Sequence, residues 1–426
     1  MPETTPFHPR TAELCASMAW KDWSGYHAVR RYDTLHEPEY HAVRQAAGLL
    51  DVTPLFKLDV RGPGAGDLLA WVTARDPRKL KVGRVAYCTW CDEQGRLLDD
   101  GTLTRRDDEV WRLTSADPPF AWLHRAAREF DAQVTDVTRE LGALALQGPR
   151  SRAILADCCE GDVSALRFFG HTRARLAGVD VEITRTGYTG DLGYEVWVPA
   201  GDALPVWDAL MEAGRPHGLR PLGLDALDML RIEAGFVLLG VDYVSARRAF
   251  TPEQTSSPFE LGLDFTVKLD REAFVGRDAL AAERRDGSPW SFVGLDIDWV
   301  ELEELHARRG LPPALPSEAW RASVPLFEGA RSGGPPGSRP KGKQVGWASS
   351  GTWSPLLKKN LALASVRTPF AGPGTRLSIE TLVDHRRRFV TATVTTTPFF
   401  DPERKTSVPG RGERATARAV GGGAGS

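Results

Sequence analysis

The stretch RTGYTGDLGYEVW, Arg185 to Trp197, sets a lone carboxylate, Glu195, among Tyr194, Val196, Trp197 and Val198. An acid in such a run is either a solvent-facing edge residue or a ligand contact, and the pattern alone leaves both open. A second acidic feature is DDG, Asp99 to Gly101, which as a local signal marks a turn. In the helix-like LRIEAG, Arg231 and Glu233 can bind a ligand or pair with neighbours on the helix surface. HRRR, His385 to Arg388, has the pattern of a solvated basic face. Cys88 and Cys91 form a CxxC that suggests redox chemistry or half of a zinc site. A zinc site needs a second ligand pair, and Cys158 and Cys159 are neighbours that rarely converge on one metal. Ordinary thiols and no bound metal are expected.

These residues fall on a mixed order of elements. Trp20, Trp23, Tyr26, Tyr32 and Tyr40 crowd the first segment, and Glu37 to Leu50 reads as a helix with Gly48 near its end. LFKLDVRG has the period of a strand, and PGAGDLLAWV reads as a helix. Three strands with turns at DEQG and RRDDE carry CTWC and DDG, and helix-like FAWLHRAAREF follows. LGALALQGPRSRAILADC reads as strand, turn and helix. VDVEITR and YEVWV form a hairpin around TGDLG, which places Glu195 on a strand. In LGLDALDMLRIEAG the apolar Leu227, Leu230 and Ala234 share a helical face, and Gly235 is placed to end it. The irregular alternation predicts an α+β fold. A boundary near Pro289 separates residues 1–288 from a mainly β region, 289–401, interrupted by a loop insertion at about 300–343, of which Gly329 to Lys343 is the most loop-like part. Four or five short strands there, from SFVGLDIDWV to FVTATVTT, predict a small barrel or sandwich. Residues 402–426 lack periodicity and read as a disordered tail.

The bulk numbers narrow the partners. A chain of 426 residues with 42% hydrophobic content suits a soluble protein with a sizeable core. A formal net charge of -2 gives no reason to expect nucleic acid or an anionic membrane as partner. No apolar run is long enough to span a bilayer, and MPETTPFHPRTAEL lacks the pattern of a secretory signal. The five cysteines do not read as a disulfide framework. A cytoplasmic location is expected.

LLDVTPLFKLDVRGPGA, GRLLDDGTLTR, LALQGP, RTGYTGDLGYEVW, GLDALDMLRIEAGFVLLG, FELGLDFTVKLDREAFVGRDAL and VGWASSGTWSPLLKKNLALASV occur in one order over most of residues 30 to 400. With them the chain resembles the folate-binding aminomethyltransferase family, which holds the T-protein of the glycine cleavage system and tetrahydrofolate-dependent demethylases. The resemblance implies a three-domain cloverleaf around a central folate site, ending in a β-barrel, and tetrahydrofolate as cofactor. It places folate-contacting residues at Tyr87, Tyr188 and Glu195 and the catalytic acid at Asp100, the second of its pair. The pterin presents a 2-amino group and an adjacent ring N–H, and a carboxylate held still on a strand accepts both, as it accepts the fork of an arginine. Tyr188 and Trp197 are candidate walls for the flat ring. Asp100 would orient folate, offset positive charge at the transferring carbon and help move a proton, while Asp99 serves the turn. Arg231 is a further candidate folate contact. HRRR can hold the folate tail, and Trp20, Trp23 and Tyr26 can line the substrate pocket or pack in the core.

The sequence also departs from the T-protein pattern. DVTPL stands for a DVSHM-type stretch, Leu227 for an arginine in G-x-x-A-R-D, and Asp191 for the glutamate of TGE. These differences favour a relative that moves a methyl or aminomethyl-derived unit from a small methylated or aminomethyl donor to tetrahydrofolate. T-protein chemistry on a lipoylated carrier protein is the alternative. Relatives that support iron–sulfur cluster maintenance carry a cysteine in a K-G-C-Y-x-G-Q-E-type motif, and RTGYTGDLGYE has none. A non-catalytic folate scaffold is opposed by the retained Asp100. No G-x-G-x-x-G fingerprint for a fused flavin domain is present.

Overall fold

The computed structural model describes residues 1–329 and 337–408. Three β bodies meet around one helix. The first is a five-stranded antiparallel sheet in the order Arg84–Cys91, Leu97–Asp107, Val110–Ser115, Phe56–Arg61, Gln133–Asp136. Helices Ala65–Val72 and Phe120–Ala126 cover it, and Leu58, Leu68, Trp90, Trp111 and Leu123 fill the space between. The second is a seven-stranded sheet whose centre runs Val179–Thr184, Gly193–Pro199, Leu141–Gln147, Ala47–Asp51. The third is a closed barrel of six strands formed by residues 290–395. The fold is α+β, with the β-barrel at the C-terminal end.

The helix Leu224–Glu233 lies between these bodies. Gly223 stands at its N-cap, and Gly235, at φ +69°, takes the left-handed conformation that ends it. Seven of its ten residues are buried, Asp228, Arg231 and Glu233 among them. A helix enclosed on both sides must pair its polar groups internally, because no water reaches them.

Three expectations need correction. Glu37 to Leu50 is not one helix: the helix ends at Gln45, and Ala47–Asp51 is an interior strand paired with Leu141–Gln147 and Leu219–Pro221. A short apolar run such as AGLL fits a buried helix or strand equally well, and strand partners distant in sequence decide. The insertion is not all loop. It holds a helix, Trp299–Ala307, and the sixth barrel strand, Trp320–Glu328, in which only Leu326 is fully buried. A strand with one core residue has no alternation to read. Its most loop-like part, 329–343, falls partly outside the described residues. Finally, residues 402–408, assigned above to the tail, pack back on the protein, with Arg404 paired to Asp191 at 2.7 and 2.8 Å. The remainder, 409–426, lies outside the described residues.

Candidate active site

The DDG segment makes no turn. Asp99, Asp100 and Gly101 sit inside the unbroken strand Leu97–Asp107. Glycine is required there: a Cβ on Gly101 would come within 2.0 Å of the Thr114 carbonyl oxygen on the next strand. Tyr87 stands opposite Thr102 on the neighbouring strand, so Asp100, two residues before Thr102, lies on its diagonal. The Tyr87 hydroxyl donates to Asp100 Oδ2 at 2.7 Å. Tyr243, from the segment after the central helix, donates to Asp100 Oδ1. Both carboxylate oxygens are thus held by phenols. Burial raises the Asp100 carboxyl above the ordinary range, and the bonds from Tyr243 and Tyr87 oppose that rise.

Asp99 is no surface turn residue. It is 1% exposed, and its Oδ1 accepts from the Asp100 amide at 2.9 Å and lies 3.1 Å from the Tyr243 hydroxyl. Its Oδ2 accepts from the Asp117 amide at 2.8 Å. Burial, then the neighbouring Asp100 charge, pushes its carboxyl up to about 8.

Tyr188 reaches the same centre from the loop 185–192. Its hydroxyl donates to the Val237 carbonyl, and its ring stacks on Phe236 at 5.5 Å and 26°. Burial raises the Tyr188 phenol, and the nearby charges of Arg231 and Asp100 both act on it. Tyr87 stacks in parallel fashion on Phe265 at 6.0 Å and 21°. Arg231 is 1% exposed, with Nε on Asp228 at 2.8 Å and Nη1 on Asp242 at 2.6 Å. Burial opposes its charge, and Asp242 and Asp228 more than restore it. Its Nη2 is buried with no hydrogen-bond partner among the described residues.

Glu195 stands on the adjacent sheet, opposite Thr184. Its Oε2 accepts from Thr186 at 2.6 Å and from Thr184 at 3.3 Å, while no described group bonds to Oε1. Burial raises this carboxyl, against those two hydroxyls. Tyr87, Asp100, Tyr188 and Arg231 therefore come together, and Glu195 sits at the foot of the loop that carries Tyr188.

Other candidates are used up in structure. Glu233 is fully buried and accepts from Arg44 at 2.6 Å, Tyr40 at 2.5 Å and Ser354 at 2.6 Å. Trp197 shares the strand face of Glu195, packs with Tyr40, Val43 and Leu50, and donates from Nε1 to Thr184 Oγ1, a partner of Glu195, at 3.3 Å. Trp20 packs near His8, at 5.2 Å between ring centres, and Trp23 lies against the central apolar cluster. His385 to Arg387 are exposed at a hairpin between barrel strands. Cys88 and Cys91 are buried in different core clusters, and burial pushes the Cys88 thiol up to about 12. Tyr243 and Asp242 went unnoticed in the sequence. Asp242 and Tyr243 follow the matching segment by two and three residues, at the turn after Gly240, where no period marks them.

Comparisons with known proteins agree with this architecture. The GCVT N-terminal domain family matches residues 7–271, and the glycine cleavage T-protein C-terminal barrel domain matches residues 330–401. The aminomethyltransferase of Geobacillus thermodenitrificans is 32% identical over 406 residues, spanning 94% of this chain and 99% of its own. That of Symbiobacterium thermophilum is 34% identical over 413 residues, spanning 94% and 98%. The solved structure of glycine cleavage system aminomethyltransferase T from Bartonella henselae has a TM-score of 0.77 at 25% identity, over 94% of this chain and 99% of its own. The chain belongs to the glycine cleavage T-protein family, the tetrahydrofolate-dependent aminomethyltransferases.

Proposed function

We propose that the chain transfers an aminomethyl-derived one-carbon unit to tetrahydrofolate, with Asp100 as the catalytic carboxylate. The observation that carries this reading is Asp100 itself, a buried acid with both oxygens fixed by Tyr87 and Tyr243. A carboxylate immobilised before reaction stabilises positive charge as it develops, at no reorganisation cost. Tyr87, Tyr188, Glu195 and Arg231 hold folate in this reading. Two features of the chain fit such a ligand: the unbonded Oε1 of Glu195, ready for N–H donors, and the orphaned Nη2 of Arg231, a buried donor seeking an acceptor. The partner in this reading is a lipoylated carrier protein bearing the aminomethyl group, and the setting is cytoplasmic. Among the described residues no helix is long and apolar enough to cross a membrane.

A demethylase-like reaction on a small methylated donor is the second reading. The insertion favours it. Glu318 bonds Arg30 and Arg31 at 2.6 and 2.7 Å, and Arg321 bonds Asp228 at 2.7 Å. The insertion is thereby tied down beside Leu227, which replaces the family's arginine and packs with Ala319 on the central apolar cluster. The test is incubation with tetrahydrofolate and either an aminomethylated lipoyl carrier or a panel of small methylated amines, ethers and sulfur compounds. The first reading expects 5,10-methylene-tetrahydrofolate and ammonia from the carrier alone. Product from the small donors alone replaces it with the second, and product from neither overturns both. Asp100→Asn keeps the shape and removes the charge, so turnover on the true donor should fall by about two to three orders of magnitude.

A further inference from the structure

We propose that Tyr243 joins Asp99 and Asp100 into one proton-sharing pair, in which Asp99 holds the proton and Asp100 is kept as the carboxylate that faces the transfer centre. The inference rests on the transferase reading for its purpose but not for its geometry. The count of hydrogens leads to it. Tyr243 has a single hydroxyl hydrogen and two carboxylate oxygens in reach, Asp100 Oδ1 very close and Asp99 Oδ1 at 3.1 Å. The hydrogen goes to the nearer oxygen. The contact with Asp99 is then favourable only if Asp99 supplies a hydrogen to the phenol oxygen. Were both acids ionised, an Asp99 oxygen would face a phenol lone pair beside a second buried anion.

Two backbone amides bond Asp99 and two phenols bond Asp100, but no described cation bonds either acid. The strand Arg84–Cys91 faces the pair with Tyr87 and Cys88, and Arg75 bonds the Tyr87 carbonyl at 3.4 Å and neither carboxylate. The 116–119 segment offers the Asp117 amide, while the Asp117 carboxylate is taken by Arg248. The loop 185–192 contributes Tyr188, and Arg231 is paired with Asp228 and Asp242. No guanidinium or ammonium among the described residues bonds either carboxylate of the pair. Two buried acids without a cation hold one proton between them. The elevated Asp99 carboxyl, at about 8, agrees with its being the neutral member. Tyr243 and Asp99 are thus positioning residues that act through Asp100.

The test has two parts. The first needs no folate: infrared difference spectra of the free full-length protein, taken against Asp99→Asn across a pH titration. A neutral-carboxyl band should be present at pH 7, fade near pH 8, and be missing from the variant. Its absence from the parent at pH 7 would overturn the proposal and leave the transferase reading standing. The second part is kinetic. Tyr243→Phe keeps the ring and removes the bridge. The lost bond to ionised Asp100 should raise the acidic limb of the kcat profile by about one to two pH units, with KM for tetrahydrofolate within a few-fold. Asp99→Asn is neutral at every pH but keeps either the bond to Tyr243 or the one from the Asp100 amide, so its neutral turnover should stay within about tenfold of the parent while the limb near pH 8 vanishes. A uniform loss at every pH in Tyr243→Phe would reduce Tyr243 to packing, and an unmoved alkaline limb in Asp99→Asn would remove Asp99 from the pair.

Discussion

A carboxylate with one oxygen bonded and the other open is asymmetric, and Glu195 has this form. Thr184 and Thr186 fix its Oε2, which sets the plane of the group and aims Oε1. Burial raises its pKa, so the ionised form gains from any N–H donor that arrives. Glu195→Ala should weaken tetrahydrofolate binding by about 1.5–3 kcal/mol, the worth of a charge-assisted bond. Calorimetry that finds the parent affinity in the variant would take Glu195 out of the site. The pattern of YEVWV exposed this residue without help from the fold, since an acid in an apolar strand stands out. Asp99 shows the reverse. The local signal assigns it to a turn, yet the Tyr243 hydroxyl, from a segment 144 positions on, touches both it and Asp100. No local rule contains that contact.

At the level of elements, the helix Leu224–Glu233 joins the sheet that carries Glu195 to the barrel. Glu233 is its anchor: the side chain binds Arg44, Tyr40 and Ser354, and its carbonyl accepts from Phe399 and Phe400 at 2.9 and 3.0 Å. One helix before the barrel, one strand within it and the segment after it are thereby held to one residue. Removing the acid would leave Arg44 buried with a lost counter-charge, and Asp191, at 3.5 Å, is a distant substitute. Glu233→Ala should therefore cost about 3–5 kcal/mol in chemical denaturation. A loss below 1 kcal/mol would mean that the network is replaceable by water. The sequence motif LRIEAG marked Arg231 and Glu233 equally. The tertiary structure separated them, because all the polar reach of Glu233 is met by protein while Arg231 keeps one donor unpaired.

Over the whole molecule, the segment after the barrel closes the structure by returning to the loop 185–192. Arg185, wholly buried, donates to the carbonyls of Arg404, Lys405 and Ser407 at 3.2, 3.0 and 2.7 Å. Arg404 in turn grips Asp191 with two bonds and stacks over Phe400 at 5.8 Å. The loop that presents Tyr188 is thus braced by the far end of the chain. Arg404→Ala should lower stability by about 1.5–3 kcal/mol, as for bonds to a charged group, and raise the tetrahydrofolate Kd several-fold because Tyr188 loses its support. Denaturation and calorimetry on the same preparation separate the two effects, and a lower Tm with an unchanged Kd would confine the brace to stability.

What the sequence by itself determined was whatever is written in neighbouring residues. Hairpin turns, the ends of the central helix, the acid inside YEVWV and the order of motifs that names the family are all local, and each survives inspection of a few residues at a time. What only the tertiary structure decided was every property that depends on which distant segment is adjacent. Ala47–Asp51 became a strand because Leu141–Gln147 and Leu219–Pro221 lie on either side of it. Trp320–Glu328 entered the barrel because the strands Gln344–Ser354 and Arg376–Val383 leave a place between them, not through an alternation of its own. DDG became a strand interior because Thr114 approaches Gly101, and Asp99 became a partner of Asp100 because Tyr243 arrives from elsewhere. Backbone pairing and buried charge are satisfied by whichever groups are nearest in space, and the chain alone does not state those distances.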